Sequence, residues 1–330
     1  MAKRRFTQAM NDALVEEMTR DPRIIVLGED IVASYLGDTR DLVDKFGPAR
    51  VRDTPISEAA LASMAVGAAM AGTPIVCHMM FANFLYLGMD GIANQAAKMR
   101  LMSGNQARLP VTFLAAVGGG TSTGAQHSDT PYAMAMNLGG INVVAPATPA
   151  DAKGMLKTAL RGENPTIFFI PRTRCSANGE IPDGELLIPF GRASVRREGR
   201  DVTIVAVGTC VQPALTAADA LTAGGIDAEV IDPRSLVPLD AETILRSVAK
   251  TGRLVVVDES RDSCSAASHI AAVVADRGFA RLRAPIRRVT TPDVALPYAP
   301  ALEKALLPNI ERIVATVAEL LSSAGAPADG

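Results

Sequence analysis

The run Val202-Thr203-Ile204-Val205-Ala206-Val207 carries no charge and is rich in β-branched residues. Three further short β-branched runs follow it, at Ala228 to Ile231, Leu254 to Val257 and Ile286 to Val289, and helical patterns separate them. Apolar strands that alternate with helices are typical of a parallel sheet covered by helices on both faces. The second half of the chain is therefore predicted to be a doubly wound α/β domain.

The first half of the chain shows the same alternation less regularly, beginning with a helical pattern over Thr7 to Thr19. Strand patterns follow at Ile24 to Leu27, Ile75 to Cys77, Val111 to Ala115, Asn142 to Ala145 and Thr166 to Ile170. The Thr54-Pro55 step predicts the start of a helix that runs through Ala71, because a hydroxyl can cap a helix and proline suits its first position. Between Pro171 and Arg200, glycine, proline and charge predict a linker.

The chain has 330 residues, more than one hydrophobic core usually serves, so two domains are expected. The predicted fold class is α/β, with two doubly wound parallel-sheet domains at residues 1–185 and 186–325. The low-complexity residues 326–330 are predicted to be a disordered tail.

Charge and cysteine content exclude several classes of function. Lys and Arg number 33 against 35 Asp and Glu, so no basic field exists to bind nucleic acid or an anionic membrane. Ala59 to Val76 is apolar, but it contains Thr73 and Pro74 and is predicted to be a buried helix rather than a membrane span. The four cysteines form no C-x-x-C motif, which indicates neither zinc nor disulfides and favours a cytoplasmic location.

Glu58 heads a long uncharged segment, since no Asp, Glu, Lys or Arg occurs between it and Asp90. A carboxylate in such a segment is expected to be partly desolvated, as acid–base groups of active sites are. The alternative is a solvated carboxylate at the start of a helix, stabilised by the helix dipole, and the pattern alone favours that explanation.

Two other features lie in uncharged segments. His127 follows the glycine-rich stretch Gly118 to Gly124, whose backbone can approach a ligand closely, although a lone histidine is more often structural. Phe81-Ala82-Asn83-Phe84 offers aromatic faces that suit either a core or the stacking of a flat ring. No metal-ligand spacing and no phosphate-loop motif occurs. These residues alone name no reaction.

At these residues the chain resembles the beta subunit of the thiamine-diphosphate-dependent first component of 2-oxoacid and acetoin dehydrogenase complexes. The motifs that carry the resemblance are Asp53-Thr54-Pro55-Ile56-Ser57-Glu58, Phe81-Ala82-Asn83-Phe84, Asn94-Gln95-Ala96-Ala97-Lys98, Ala125-Gln126-His127-Ser128 and the run from Lys250 to Glu259. The resemblance extends from Gly28-Glu29-Asp30 to Pro297-Tyr298-Ala299-Pro300 and implies a transketolase-like pyrimidine-binding domain followed by a transketolase C-terminal-like domain.

The resemblance implies a role for five residues. Glu58 matches the glutamate that hydrogen-bonds N1′ of the cofactor's aminopyrimidine, which favours the tautomer whose 4′-imine removes the thiazolium proton. Phe84 matches the aromatic residue that stacks on the pyrimidine. His127 matches a histidine that assists with substrate or acyl transfer. Ile56 matches a cofactor-contacting position, and Glu29 lies at a polar position near the cofactor.

The family holds the diphosphate and Mg²⁺ through a Gly-Asp-Gly motif on an alpha subunit. Met89-Asp90-Gly91 lacks the first glycine, so this chain is expected to supply only the pyrimidine half of each site. The resemblance thus implies an α2β2 heterotetramer, active only with its alpha subunit, that transfers an acyl group to lipoamide on an acyltransferase core. The second domain is expected to serve assembly and docking to that core.

Several positions depart from the family pattern. The segment Val32 to Leu42 is shorter than usual, and Asp129 stands where glutamine is usual. Many relatives bind potassium near Val111, Thr112 and Ala159; Asn164 matches a ligand of that ion, whereas Gly162 replaces the usual acid, so a K⁺ site is left open. Cys264-Ser265-Ala266-Ala267 is similar to acetoin dehydrogenases and favours acetoin, with pyruvate and other short 2-oxoacids as alternatives. Two other functions remain open: the C-terminal half of a split transketolase, and a scaffold subunit with altered chemistry.

Overall fold

The computed structural model describes residues 1–323, which form two compact units. The first unit comprises Met1–Gly118 and Gln126–Phe190, and the second comprises Gly119–Ala125 and the chain from Gly191 onward. Each unit is an α/β fold with a mostly parallel sheet, so the predicted fold class is confirmed. The domain limits 1–185 and 186–325 stay a prediction, and the predicted tail 326–330 lies outside the described residues.

The first unit is built on a parallel sheet in which its strands follow the order β6-β7-β5-β4-β2-β3. Its strands are β1 Ala2–Arg5, β2 Ile25–Gly28, β3 Val51–Asp53, β4 Ile75–Phe81, β5 Val111–Val117, β6 Asn142–Val144, β7 Thr166–Pro171 and β8 Asn178–Ile181. Its helices are α1 Phe6–Arg20, α2 Leu42–Phe46, α3 Glu58–Met70, α4 Ala97–Met102, α5 Tyr132–Met136 and α6 Pro149–Arg161. Strands β4, β5 and β7 are buried along their whole length, which explains their mostly apolar, uncharged sequences.

Helices α1 and α6 belong to the same hydrophobic core, in which Phe6, Met10 and Leu14 of α1 pack with Met155 and Leu156 of α6. Helix α6 begins at a cap, since the Thr148 hydroxyl accepts a hydrogen bond from the backbone N–H of Asp151 at 3.2 Å. Helix α3 packs on a π-helical stretch, Asp90–Ala96, at a point where a Cβ on Gly91 would lie 3.0 Å from Ser63 N. That close approach requires a glycine.

The second unit is built on a five-stranded sheet with the order β14-β13-β10-β11-β9, in which only β9 is antiparallel. The strands of this sheet are β9 Ser194–Arg197, β10 Val202–Ala206, β11 Ala228–Asp232, β13 Leu254–Arg261 and β14 Arg287–Thr291. The second unit also contains the short strand β12, Ser235–Val237, which lies outside this sheet. Its helices are α7 Val211–Ala223, α8 Ala241–Thr251, α9 Ala266–Arg277, α10 Pro300–Leu306 and α11 Ile310–Ser323. The four β-branched runs therefore all form strands of one sheet.

Two local predictions are wrong. Helix α3 begins at Glu58 rather than Pro55, because the backbone N–H of Thr54 bonds to the carbonyl of Gly28 at 2.9 Å and keeps the chain extended beside β2. The predicted linker from Pro171 to Arg200 contains β8, which pairs with β1, and β9, which pairs with β11. Both are short polar strands at sheet edges, so they show no apolar run.

Within residues 1–323, no helix is long and apolar enough to cross a membrane. The apolar run Ala59 to Val76 instead holds most of α3 and the first residues of β4.

Candidate active site

The predicted site residues follow the carboxyl ends of four adjacent parallel strands. Glu29 follows β2, Glu58 follows β3, Phe84 follows β4, and His127 follows β5. In the sheet these strands are neighbours in the order β3-β2-β4-β5. Ligands of α/β proteins bind outside this edge of a parallel sheet, so the topology brings residues distant in sequence to one candidate site.

Two buried carboxylates lie on one side of this edge. Glu29 is 8% exposed and Glu58 is 7% exposed. Burial and the negative charges of Glu58 and Asp30 raise the pKa of Glu29, against a backbone hydrogen bond from Ser57 that lowers it. Among the described residues, Glu29 Oε1 has no hydrogen-bond partner, and the Glu58 carboxylate has no partner cation. The two acids therefore form a buried site with an unused acceptor, and within it the pKa of Glu29 is raised.

The glycine before Glu29 is required by a close approach of two strands. A Cβ on Gly28 would lie 2.5 Å from the carbonyl oxygen of His78 on β4. Any larger residue would push β2 away from β4. Gly28 thus allows β2 and β4 to approach closely directly before Glu29.

An aromatic cluster lies at the ends of β4 and β5. The rings of Phe84 and His127 meet edge to face at a centroid distance of 5.5 Å, and Phe81 lies 4.9 Å from the same imidazole. The Arg172 guanidinium lies 4.9 Å from the centre of the Phe81 ring, and Arg172 Nη1 also donates a hydrogen bond to the backbone carbonyl of His127. Two phenylalanines and an arginine therefore fix the orientation of the histidine.

Asp129 connects the two halves of this cluster. Asn83 Nδ2 donates to Asp129 Oδ2 at 2.8 Å, and the backbone N–H of Asp129 donates to Asn83 Oδ1 at 3.2 Å. This reciprocal pair joins the Phe81–Phe84 segment to the loop that carries His127. Asp129 therefore has a structural role in this cluster.

The structure brings together two pairs of the predicted residues, Glu29 with Glu58 and Phe84 with His127. Ile56 is 80% exposed in the bend before α3. The sequence reasoning missed Arg172, although it directly follows β7 at the same edge of the sheet. It also gave no role to His78, which the structure pairs with Asp38.

Comparisons with known proteins place both units in known domain families. The transketolase pyrimidine-binding domain family matches residues 2–176, and the transketolase C-terminal domain family matches residues 191–313. The beta subunit of acetoin:2,6-dichlorophenolindophenol oxidoreductase from Bacillus subtilis is 41% identical, with 96% of each chain covered. The pyruvate dehydrogenase E1 component subunit beta from Rickettsia felis is 42% identical, covering 94% of this chain and 96% of its own.

A solved split-gene transketolase, described as an inactive β4 tetramer, superposes with a TM-score of 0.79. It is 29% identical, covering 96% of this chain and 97% of its own. At similar coverage the dehydrogenase subunits are more than ten percentage points closer in sequence, so the comparisons do not favour a split transketolase. The resemblance stated from the motifs is confirmed: the chain belongs to the family of beta subunits of thiamine-diphosphate-dependent 2-oxoacid and acetoin dehydrogenases.

Proposed function

We propose that this chain supplies the pyrimidine-activating half of a thiamine diphosphate site whose other half lies on an alpha subunit. The observation that carries the proposal is the pair of buried carboxylates, Glu29 and Glu58, which has no partner cation among the described residues. A buried carboxylate with an unused acceptor fits the ring nitrogen of an aminopyrimidine, because that nitrogen can share a proton with it. When bound, the cofactor supplies the nucleophilic carbon that cleaves a bond next to a carbonyl group.

In this proposal each residue has a distinct role. Glu58 holds the proton that is shared with the pyrimidine ring, and Glu29 lies close to it as a second buried carboxylate. Phe84 offers a half-buried ring to the flat pyrimidine. His127 exchanges a proton with the substrate or the acyl group, and the exposed Ile56 contacts the cofactor from the bend before α3.

The alpha subunit is proposed to hold the diphosphate and its Mg²⁺ in an α2β2 heterotetramer in the cytoplasm. Helix α3 supports this, because Met64 and Met70 are about half exposed while Ser63 and Gly67 leave its outer side open to close approach. The second unit is proposed to complete the assembly and to dock a lipoyl acyltransferase core. We assign no potassium ion, because Asn164 Oδ1 accepts a hydrogen bond from Arg100 at 2.5 Å and Gly162 supplies no carboxylate.

The test of the site is Glu58→Gln, measured in the enzyme reconstituted with an alpha subunit that carries Gly-Asp-Gly. Glutamine keeps the shape but cannot share a proton in the same way, so we expect turnover to fall by about 100-fold or more while the tetramer still assembles. Glu180→Gln, an exposed acid on β8, is the matched control and should leave turnover unchanged. Undiminished turnover of the Glu58 variant would contradict the assigned role.

The substrate is proposed to be acetoin, on the basis of the Cys264 to Ala267 segment at the start of α9. The comparisons do not separate the candidates, since the acetoin and pyruvate relatives are 41% and 42% identical. The reconstituted enzyme should be assayed with acetoin, pyruvate and branched 2-oxoacids, with acylation of a lipoyl domain as the readout. A preference for pyruvate or a branched 2-oxoacid would reject acetoin, and reaction with ketose phosphates alone would restore the transketolase alternative.

A further inference from the structure

A buried histidine–aspartate pair lies behind the site, outside the roles assigned above. His78 lies on β4 and Asp38 lies in the segment between β2 and α2, and each side chain is 2% exposed. His78 Nε2 lies 3.2 Å from Asp38 Oδ2. The backbone N–H of Met80 donates to His78 Nδ1, also at 3.2 Å. Nδ1 therefore carries a lone pair and Nε2 carries the proton, which is donated to Asp38.

The second of these hydrogen bonds holds a strained residue. Met80 has a φ of +55°, a left-handed conformation that side chains with a Cβ rarely adopt. The register between β4 and β5 shifts at the same place, between His78 and Phe81. The strand thus has a β-bulge at Met80, and bulges of this kind redirect the side chains that follow.

The residues that follow the bulge are those of the aromatic cluster. Phe81 pairs with Ala116 of β5 immediately after the shift, and its ring contacts both Phe84 and His127. A change in the bulge would therefore move the Phe84 ring and the neighbour that fixes the imidazole.

Asp38 is itself held firmly by its surroundings. The side-chain amide of Asn11 on α1 donates to the carbonyl oxygens of Asp38 and Arg40, each at 2.9 Å. The buried hydroxyl of Thr39 donates to the carbonyl of Ile31 at 2.7 Å. The shortened segment Val32 to Leu42 is thus a well-tied turn that presents one carboxylate to the core.

We propose that Asp38 and His78 are positioning residues that hold the Met80 bulge and thereby place Phe84 and His127. Asp38 fixes the tautomer of His78, His78 accepts the backbone N–H of Met80, and the bulge orients the aromatic cluster. The inference rests on the proposed function, since it assigns a support to that site, but the bulge itself can be tested without any activity.

The first test measures hydrogen exchange by mass spectrometry in the assembled, cofactor-free enzyme, in peptides that cover Met79 to Leu85. In Asp38→Ala the tautomer is no longer fixed, so we expect the Met80 amide to exchange at least about tenfold faster. Asp38→Asn still offers an oxygen to Nε2–H and should exchange like the parent enzyme. Asp44→Ala, which removes an exposed carboxylate on α2, is the matched control. Unchanged exchange in Asp38→Ala would overturn the proposal.

The second test measures the consequence for the site. In Asp38→Ala the displaced aromatic cluster should weaken thiamine diphosphate binding and lower kcat, each by about tenfold. Calorimetry measures the binding. Asp38→Asn should have the affinity and the kcat of the parent enzyme. Faster exchange with unaltered cofactor affinity and kcat would also overturn the positioning role.

If Asp38→Ala fails to assemble, His78→Gln replaces it. The glutamine amide keeps the hydrogen bond to Asp38 but does not reach the Met80 N–H, so faster exchange is again expected. Unaltered exchange in His78→Gln would overturn the proposal. The two proposals can fail separately. If the Met80 amide exchanges faster in the variants but the parent enzyme shows no thiamine-dependent turnover, the proposed function is rejected, and the support of the bulge by Asp38 and His78 still holds.

Discussion

Two groups of acids in the first unit differ in their partners and in the direction of their pKa shifts. Between α1 and α6, Glu16 and Glu17 meet Lys157 and Arg161, with Glu16–Lys157 at 2.7 Å and Glu17–Arg161 at 2.6 Å. Burial alone would raise the pKa of both glutamates, but hydrogen bonds to the cations bring each below its usual value. At the carboxyl edge of the sheet, burial and like charge instead raise the pKa of Glu29.

The difference shows how one residue type serves two purposes in one domain. Paired acids tie two helices together and stay ionised, which suits a structural role. Burial without a partner cation costs stability and raises the pKa of Glu29, which suits a site that must exchange protons. The absence of a partner cation among the described residues is therefore the informative feature of Glu29 and Glu58.

The largest expected effect comes from removal of Lys157, a partner cation of the paired acids. Its side chain is 2% exposed and lies within 4 Å of Glu16, Glu17 and Glu185. Lys157→Met leaves these carboxylates facing one another, so the free energy of unfolding should fall by about 3 kcal/mol, with turnover at low temperature retained. Urea unfolding followed by circular dichroism measures the change. Lys153→Met, which removes a more exposed lysine with Glu16 as its partner, is the control and should cost clearly less.

Much of the fold was predictable, whereas part of the site was not. The mostly apolar runs of β4, β5, β7 and β10 identified strands because buried parallel strands contain few polar residues. The polar edge strands β8 and β9 were missed for the opposite reason. The uncharged segment singled out Glu58, although that pattern alone favoured a solvated carboxylate at the start of a helix. The motifs gave Glu58, Phe84 and His127 their predicted roles.

The unpredicted features depend on pairing across the sequence. Asp38 and His78 are separated by 40 residues, and no periodicity connects them. The left-handed Met80 leaves no trace in composition, because its conformation comes from a hydrogen bond to the neighbouring imidazole and from the bulge. The approach of Glu29 to Glu58 likewise follows from the order of β2 and β3 in the sheet.

Glu259 in the second unit resembles Glu29, because it is a buried acid without a partner cation among the described residues. Burial raises its pKa to about 7, although hydrogen bonds from the Thr209 hydroxyl and the Gly119 N–H oppose the shift. The folded state thus binds a proton that the unfolded chain has lost, and stability falls as pH rises through the window that ends near 7. Glu259→Gln should remove this slope, because the Thr209 hydroxyl can bond to an amide as well as to a carboxylate.

The measurement is the melting temperature of parent and variant between pH 5 and about 8. The advantage of Glu259→Gln should grow with pH and level off above 7. Glu16 and Glu17 of α1 have lowered pKa values, so their contribution is lost only as pH falls below the usual range of a carboxyl. A constant offset between the two proteins across the range would contradict the protonation of Glu259.

The smallest expected change in stability is at Glu29, which tests within the candidate site whether an acid without a partner cation destabilises the protein. Glu29→Gln removes the charge that Glu58 and Asp30 oppose, so the free energy of unfolding at pH 7 should rise by about 1 kcal/mol, the low end of the cost of an unpaired buried polar group. The gain should shrink as pH falls, because protonation neutralises Glu29 in the parent as well. Turnover of the reconstituted enzyme should fall about fivefold, since a residue retained at a cost in stability is retained for function. A variant that is less stable than the parent at pH 7 would show that Glu29 has a stabilising partner, and would place it with the paired acids of α1 rather than with Glu58.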